Sequence, residues 1–245
     1  MKKLILFFVL AFLMTLRVGA QQYTSMSGLI HVPSAEMDAE GDARIGVHYL
    51  NQHMVPDVFS YEGEKYNTFD HYVSITPFWW IEIGYTCTLL KIDKYKINKL
   101  TNKDRYFSFK LNPLREGKWW PAVAVGCNDI ADSRSVKDET ADGELYFANY
   151  YLAATKHVDL SGNEIGVHLS YRHYTKAYND KWNGVVGGVT FRPEFAKNCR
   201  VIAEYTGSDI NVGIDCLLLK HLLMQASLQS GKYFSGGICY TVNLF

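Results

Sequence analysis

His168 and Ser170 are the residues whose types and spacing come closest to an enzymatic arrangement. In a β-strand, residues two apart project from the same face, so the imidazole and the hydroxyl would lie side by side. Such a pair can act as general base and nucleophile when a third polar group orients the histidine. Asn183, on the next segment, is the candidate for that third group. This pattern keeps a hydrolase open as one alternative.

The chain has eight histidines, and their spacing along the sequence is not that of a zinc site. His168 and His173 are five residues apart at the end of a predicted strand, so they face opposite ways. The sequence also lacks a phosphate-binding glycine loop and a dinucleotide fingerprint. We therefore predict no cofactor and no metal, and we assign no catalytic residue.

A larger set of charged and polar residues alternates with apolar ones along predicted strands. If the strands close into a barrel, these residues would line its lumen. They carry both signs of charge, which is typical either of a polar conduit or of a network that fills the barrel. The candidate lumen-lining residues are Arg44, His48, Asp70, Tyr72, Glu82, Lys110, His168, Arg172 and Glu204.

The strands that would position these residues are recognised by a hydrophobic period of two. Several segments run for nine or more residues, the length that a tilted strand needs to cross a bilayer. We expect about twelve strands and an all-β fold, an antiparallel transmembrane β-barrel; a soluble periplasmic β-sandwich, which also alternates, is the alternative. The clearest alternating segments are 43–50, 79–89, 105–112, 165–172, 210–218 and 238–244.

Connection lengths alternate as expected for an outer-membrane barrel, with long outer loops and shorter periplasmic turns. The long connections are predicted at 51–68, 91–103, 129–142 and 172–183. The shorter ones are predicted at 76–78, 112–118, 156–163, 192–198 and 220–221. The 91–103 loop has five lysines and could contact anionic lipopolysaccharide or glycan, although an ordinary solvated loop is the preferred interpretation.

The N-terminus predicts export. Lys2 and Lys3 precede an apolar run and then Val18-Gly19-Ala20, so residues 1–20 form a signal peptide with cleavage near Ala20. Residues 21–42 form a lead-in segment, either periplasmic or inserted in the lumen, unless they are an ordinary mobile terminus. Residues 43–245 form the barrel. We expect the outer membrane of a Gram-negative-type bacterium.

Net charge and cysteine content bear on two further possibilities, nucleic-acid binding and a disulfide framework. The signal segment holds three of the 25 basic residues and none of the 25 acidic ones, so the remainder has a net charge of −3. This gives no support for nucleic-acid binding. The five cysteines are widely spaced and odd in number, so we read them as small apolar side chains rather than a disulfide framework.

The opening of the mature chain resembles that of YjbH-like proteins, which are exopolysaccharide-associated outer-membrane barrels. The opening motif consists of Gly28, Leu29, Ile30, Pro33, Ser34 and Ala35. The other similar segments are 74–77 with 80–84, 104–110 with 114–118, and 121–126 with 129–131. Asp132 stands where the family commonly has glycine. Larger relatives have a second barrel-like half that this chain lacks.

This resemblance implies a non-enzymatic barrel that aids export or surface placement of extracellular polysaccharide. Its partners would be outer-membrane lipid, lipopolysaccharide and possible export machinery or polysaccharide. One alternative is an outer-membrane lipid hydrolase, because the His168–Ser170 pair is similar to that of twelve-stranded outer-membrane phospholipases. Tyr171 and Arg172 depart from the Asn-Gly that follows in those enzymes. The other alternative is a plugged structural or adhesion barrel.

Overall fold

A computed structural model describes residues 20–94, 97–130 and 145–245, so nearly all of the predicted signal peptide lies outside the described residues. Its dominant feature is a closed antiparallel barrel of twelve strands, which confirms the predicted fold class. Within the described ranges, no helix is long and apolar enough to cross a membrane. Two very short strands, β1 (Ala20–Gln21) and β2 (Ser27–Gly28), pair with each other apart from the barrel.

The barrel strands follow one another around the wall in chain order, and β14 closes against β3. An even number of antiparallel strands brings both ends of the barrel to one rim, where Asp42 pairs with Asn243. We call this the terminal rim and the opposite end the loop rim. The strands are β3 (Asp42–Leu50), β4 (Thr68–Phe78), β5 (Ile81–Lys94), β6 (Ile97–Leu114), β7 (Ala122–Asn128), β8 (Asn149–Leu160), β9 (Asn163–Tyr174), β10 (Gly184–Arg192), β11 (Cys199–Tyr205), β12 (Ile210–Leu218), β13 (Leu222–Gln229) and β14 (Tyr233–Asn243).

The two faces of the wall have opposite chemistry. Outward side chains are apolar and exposed, as Ile45 and Val185 illustrate with exposed fractions of 61% and 62%. Their inward neighbours are buried and mostly polar. A soluble sandwich would bury its apolar face, whereas a barrel in lipid presents that face outward. The apolar outer surface therefore marks a membrane-embedded wall.

Substituting Val189 by arginine should reveal the lipid-facing middle of β10. Val189 is half exposed near the centre of its strand, and an arginine near the bilayer midplane costs about 2–4 kcal/mol. Val185→Arg is the matched control, because it lies on the same face near the loop rim, where the cost falls to about 0–1 kcal/mol. Urea unfolding in lipid vesicles measures both. Equal effects would contradict the assigned membrane depth.

Two turns at the terminal rim differ from the prediction. The prediction of a turn at 76–78 is wrong, because β4 continues through Pro77 to Phe78 and the chain reverses at Trp79 and Trp80. A register shift between Ile75 and Phe78 removes the ladder hydrogen bond that Pro77 cannot make. The predicted connection at 156–163 is also wrong in its extent, because β8 continues to Leu160 and β9 starts at Asn163. It is a tight turn in which Ser161 and Gly162 both have positive φ, the geometry that matches strand twist.

The lysine-rich segment 91–103 is mostly strand rather than a loop. Strand β5 runs to Lys94 and β6 starts at Ile97, so the hairpin extends the barrel wall at the loop rim. Ile92 is buried in a cluster with Leu90 and Tyr106, which holds the extension on the barrel. Most of the predicted 129–142 loop lies outside the described residues.

Cys199 and Cys216 form a disulfide between β11 and β12, at directly opposite positions. The reading of Cys216 as a mere apolar side chain was therefore wrong. The two cysteines are 17 residues apart, so sequence spacing did not show that strand pairing would bring them together. Cys87, Cys127 and Cys239 are not part of a disulfide in the described structure.

Candidate functional site: the filled lumen

The lead-in segment lies inside the barrel. From Gln21 to Ala35 every residue is buried, although the segment contains only two very short strands of its own. Gln21 accepts a hydrogen bond from Arg44 of β3, close to the terminal rim, whereas Tyr23 packs in the apolar cluster near the loop rim. Residues 21–35 therefore fill the space that an open channel would leave to water.

Glycines on the wall create the room for this segment. A Cβ added to Gly84 would lie 2.1 Å from the Ser25 hydroxyl oxygen. One added to Gly188 would lie 2.6 Å from Leu29 Cδ1. Because larger side chains at these positions would collide with the lead-in, the inward glycines belong to the same packing arrangement as the segment itself.

Glu204 holds the lead-in by its backbone. Its carboxylate accepts hydrogen bonds from the amides of Ile30, His31 and Val32 at 2.8–3.1 Å, and another from Asn211 at 2.7 Å. Three consecutive amides that converge on one anion form a cradle of the kind that binds anions in proteins. Here the anion comes from the wall and the cradle from the lead-in.

Lys110 and Glu82 hold a second point of the segment. The two side chains form an ion pair of 2.9 Å and are fully buried. Lys110 also donates to the carbonyl oxygens of Ser27 and Glu36, at 2.7 and 2.6 Å. Glu82 accepts from the amides of Ser27 and Asp38. Each charge is thus paired and hydrogen-bonded, which a buried ion pair requires.

Two arginines pair with acidic residues of the lead-in near the terminal rim. Arg44 forms an ion pair with Asp38. Arg200 contacts Glu36 at 2.7 Å and Asp215 at 3.1 Å. Burial raises the pKa of Glu36, but Arg200 and His157 outweigh it and hold that pKa well below its ordinary value. Glu36 is therefore ionised at neutral pH.

Arg172 contacts the lead-in towards the loop rim. It donates to the His31 carbonyl at 2.7 Å and to the carbonyls of Trp182 and Thr206 at 3.1–3.2 Å. Above it, loop residues Val55 and Phe59 are completely buried against Tyr23 and its neighbours. These contacts bury the end of the lead-in nearest the loop rim.

Comparison with known proteins identifies the family at this point. The family model described as "YjbH: Exopolysaccharide biosynthesis protein YbjH" matches residues 20–171, more than half of the chain. The protein belongs to the YjbH family. The matched span begins with the buried lead-in and continues into β9, so it includes the lumen segment as well as most of the wall that surrounds it.

Solved structures give a more distant likeness. Outer membrane phospholipase A from Escherichia coli has 11% identity and a TM-score of 0.38, covering 84% of this chain and 98% of the enzyme. The Salmonella typhi outer membrane phospholipase dimer with bound calcium has 10% identity and a TM-score of 0.37, covering 84% and 92%. No curated protein matches.

The YjbH opening motif is entirely within the lumen. Leu29 and Ile30 pack with Val32 against wall residues Val186 and Ile202. The other motif residues make polar contacts: the Gly28 and Pro33 carbonyls accept from Arg200 and Ser170, the Ser34 hydroxyl accepts from the Glu36 amide, and the Ala35 amide donates to Thr155. The motif that carries the family resemblance is therefore the segment that fills the barrel.

The nine candidate lumen residues are all buried, but they divide into two groups. Arg44, Glu82, Lys110, Arg172 and Glu204 bond the lead-in directly. The remaining four, His48, Asp70, Tyr72 and His168, have neighbours on the wall instead. His48 bonds Gln225 and stacks on Tyr72, Asp70 lies between His48 and Thr88 in the strand register, and His168 bonds two threonines.

His168 and Ser170 face the same way but have separate partners. The Ser170 hydroxyl donates to the Pro33 carbonyl at 2.6 Å, and the His168 ring nitrogens lie 3.1 and 3.2 Å from the Thr155 and Thr190 hydroxyls. Asn183 contacts Tyr174 and Asp180 instead of orienting His168. With both side chains buried against the lead-in, this arrangement positions Ser170 to hold a backbone carbonyl.

Replacing Ser170 by alanine tests that structural role. The variant loses one buried hydrogen bond to Pro33, so we expect stability to fall by about 1–3 kcal/mol. Phospholipid hydrolysis by the purified protein should be the same before and after the change. Urea unfolding and a fatty-acid release assay provide the two measurements. Hydrolysis by the wild type that disappears in Ser170→Ala would instead establish the hydrolase.

Several residues that form ion pairs in this site were not among the candidates predicted from the sequence. Glu36 and Asp38 lie in a segment without periodicity, and Asp215 was seen only as part of a polar face. Arg200 alternates with Glu204 on β11 and pairs directly with Asp215, so the alternation there was an available signal. His157 was missed because residues 156–163 were assigned to a turn.

Proposed function

We propose that this protein aids export or surface placement of an extracellular polysaccharide from the outer membrane. The observation that supports this is the family match, which includes the lumen-filling segment. The lead-in enters the barrel at the terminal rim, which would face the periplasm, as both ends of an even-stranded barrel do. A component of an export system in the periplasm could contact the segment there.

In this proposal the lead-in keeps the barrel closed until a partner or the polysaccharide displaces it. The contacts that hold it are mostly polar: the Glu204 cradle, the Lys110–Glu82 pair and the Arg200–Glu36 pair. Polar groups can exchange these partners for water or for sugar hydroxyls more readily than an apolar core can. Displacement would expose a charged lumen suited to a hydrated glycan.

A plugged structural barrel is the second candidate, and the complete burial of residues 21–35 favours it. It differs from the export proposal in whether the lead-in has to move. A disulfide between an added cysteine pair, one in the lead-in and one on the facing wall, would lock the segment. Ala35 and Thr155 are suited to this, since the Ala35 amide bonds the Thr155 hydroxyl at 3.0 Å.

The test measures surface and secreted polysaccharide in a deletion strain complemented with different alleles. Wild-type protein should restore the polysaccharide that deletion removes. Ala35→Cys/Thr155→Cys should fail to restore it when oxidised and should restore it when reduced, with each single cysteine variant as a control. Restoration by the oxidised form would favour the structural barrel, and an unchanged deletion strain would overturn the polysaccharide proposal.

A further inference from the structure

Three segments bring metal-binding donors together at the terminal end of the lumen. Glu36 of the lead-in, His157 of β8 and His168 of β9 each offer one ligand atom, and these atoms lie within 4.8 Å of one another. Two imidazoles and one carboxylate form a donor set that suits Zn²⁺. Strand pairing brings the two histidines close together, because His168 lies opposite Thr155 and His157 is two residues further along β8.

The distance between Glu36 and His157 already fits a shared ion. The Glu36 carboxylate oxygen lies 3.3 Å from His157 Nε2. Tetrahedral zinc with bonds of about 2.0–2.1 Å has ligand atoms separated by about 3.3 Å. A zinc ion could therefore bridge these two groups without a change in their separation.

Glu116 orients His157 from the opposite side of the ring. Its carboxylate lies 2.7 Å from His157 Nδ1 and also accepts from Lys156 Nζ at 2.8 Å. Because Nδ1 is bonded to Glu116, Nε2 is the ring nitrogen that faces Glu36. This carboxylate–histidine arrangement commonly supports metal ligands.

His168 can supply the third bond by a shift of its ring, because its ligand atom lies within 4.8 Å of the other two and tetrahedral zinc requires about 3.3 Å. Its ring nitrogens face the hydroxyls of Thr155 and Thr190, and a hydroxyl can rotate to donate or accept. One threonine can keep one nitrogen protonated while the other nitrogen exchanges its hydroxyl for the ion.

Charge and access also permit a cation. Arg200 contacts Glu36, but Asp215 balances that positive charge at 3.1 Å. A cavity of about 310 Å³ is lined by Glu36, His157, Glu116 and Thr155 together with residues of the terminal rim. It gives an ion a path to the site and leaves room for a water molecule as fourth ligand.

We propose that Glu36, His157 and His168 form a zinc site that fastens the lead-in to β8 and β9. Binding of the ion would stabilise the docked lead-in, since the complete donor set exists only when Glu36 lies against the wall. The ion would thus lock the barrel closed at the terminal rim. This inference concerns the lead-in itself and stands independently of any polysaccharide.

The experiment titrates ZnCl₂ into tag-free, EDTA-treated protein folded in detergent micelles. Calorimetry should give one ion per chain, and Co²⁺ in place of Zn²⁺ should show the visible absorption of a four-coordinate site. His157→Ala and His168→Ala should each weaken binding by at least about 100-fold, and Glu116→Gln by about 10–100-fold. His221→Ala is the control, because His221 is exposed on the β12–β13 turn and should change nothing.

A second measurement links the ion to the lead-in. Zinc should slow hydrogen exchange of the lead-in amides in the wild type and leave it unchanged in His157→Ala. If His168→Ala does not fold, His157→Ala and Glu116→Gln decide the matter, because both side chains lie partly exposed at the rim. Absence of zinc binding, or equal binding by wild type and His157→Ala, would overturn the proposal.

Discussion

Glu204→Ala should release the lead-in from the wall while the barrel remains folded. The substitution removes the acceptor of the Ile30, His31 and Val32 amides, and leaving a buried donor unpaired costs about 1–3 kcal/mol. A loss of about 3–4 kcal/mol in docking corresponds to roughly 100- to 1,000-fold faster hydrogen exchange at these amides. The strand ladder should persist, since it does not depend on this carboxylate.

Exchange measured by mass spectrometry over residues 27–35, together with single-channel conductance in planar bilayers, tests this expectation. Glu204→Ala should conduct more often than wild type because the lead-in undocks. Glu204→Gln, which keeps one carbonyl acceptor, should lie between the two. Glu194→Ala removes an exposed carboxylate at the terminal rim and serves as the control. Unchanged exchange at the three amides would show that Glu204 does not hold the segment.

Lys110→Met should destabilise the whole barrel more than any surface substitution. The ammonium group is fully buried, and its loss leaves the Glu82 carboxylate without its counter-charge. Breaking a buried ion pair by removing one partner costs about 3–5 kcal/mol. Two carbonyls, those of Ser27 and Glu36, also lose their donor. Urea unfolding in detergent micelles or vesicles should show a midpoint well below that of wild type.

The double variant Lys110→Met/Glu82→Gln distinguishes charge from packing. If the cost comes from the uncompensated carboxylate, neutralising Glu82 in the same chain should recover part of it, and the two single effects should not add. Lys232→Met is the control, since Lys232 is exposed on the β13–β14 turn. A double variant as unstable as the sum of the singles would contradict a coupled pair.

Together these contacts describe a membrane barrel whose lumen is occupied by its own chain. The wall contributes charges and glycines, and the lead-in contributes backbone amides, carbonyls and a small apolar face. An open channel would keep such charges hydrated, whereas here most of them are paired with the lead-in. The two proposed functions differ in whether the lead-in stays or leaves, which the locked cysteine variant addresses.

The sequence by itself determined which residues form the barrel wall and which face each of them takes. The period of two places Ile45 and Val167 outward and Arg44 inward, because a bilayer favours apolar side chains on one face of every strand. The same reasoning predicted about twelve strands, whereas the family was indicated by the resemblance of the opening motif. It failed at Pro77 and at residues 91–103, where a bulge and an extended hairpin continued strands that composition alone suggested should end.

Only the tertiary structure shows what fills the lumen that the wall encloses. The lead-in has no periodicity, so its sequence could not show that Ile30 would meet Glu204, 174 residues away, or that Glu36 would meet Arg200. The cluster of Glu36, His157 and His168 likewise depends on the β8–β9 register and on the path of the lead-in. Alternation specifies the face of a side chain, but the partner across the lumen follows from closure of the barrel around a segment that lacks that pattern.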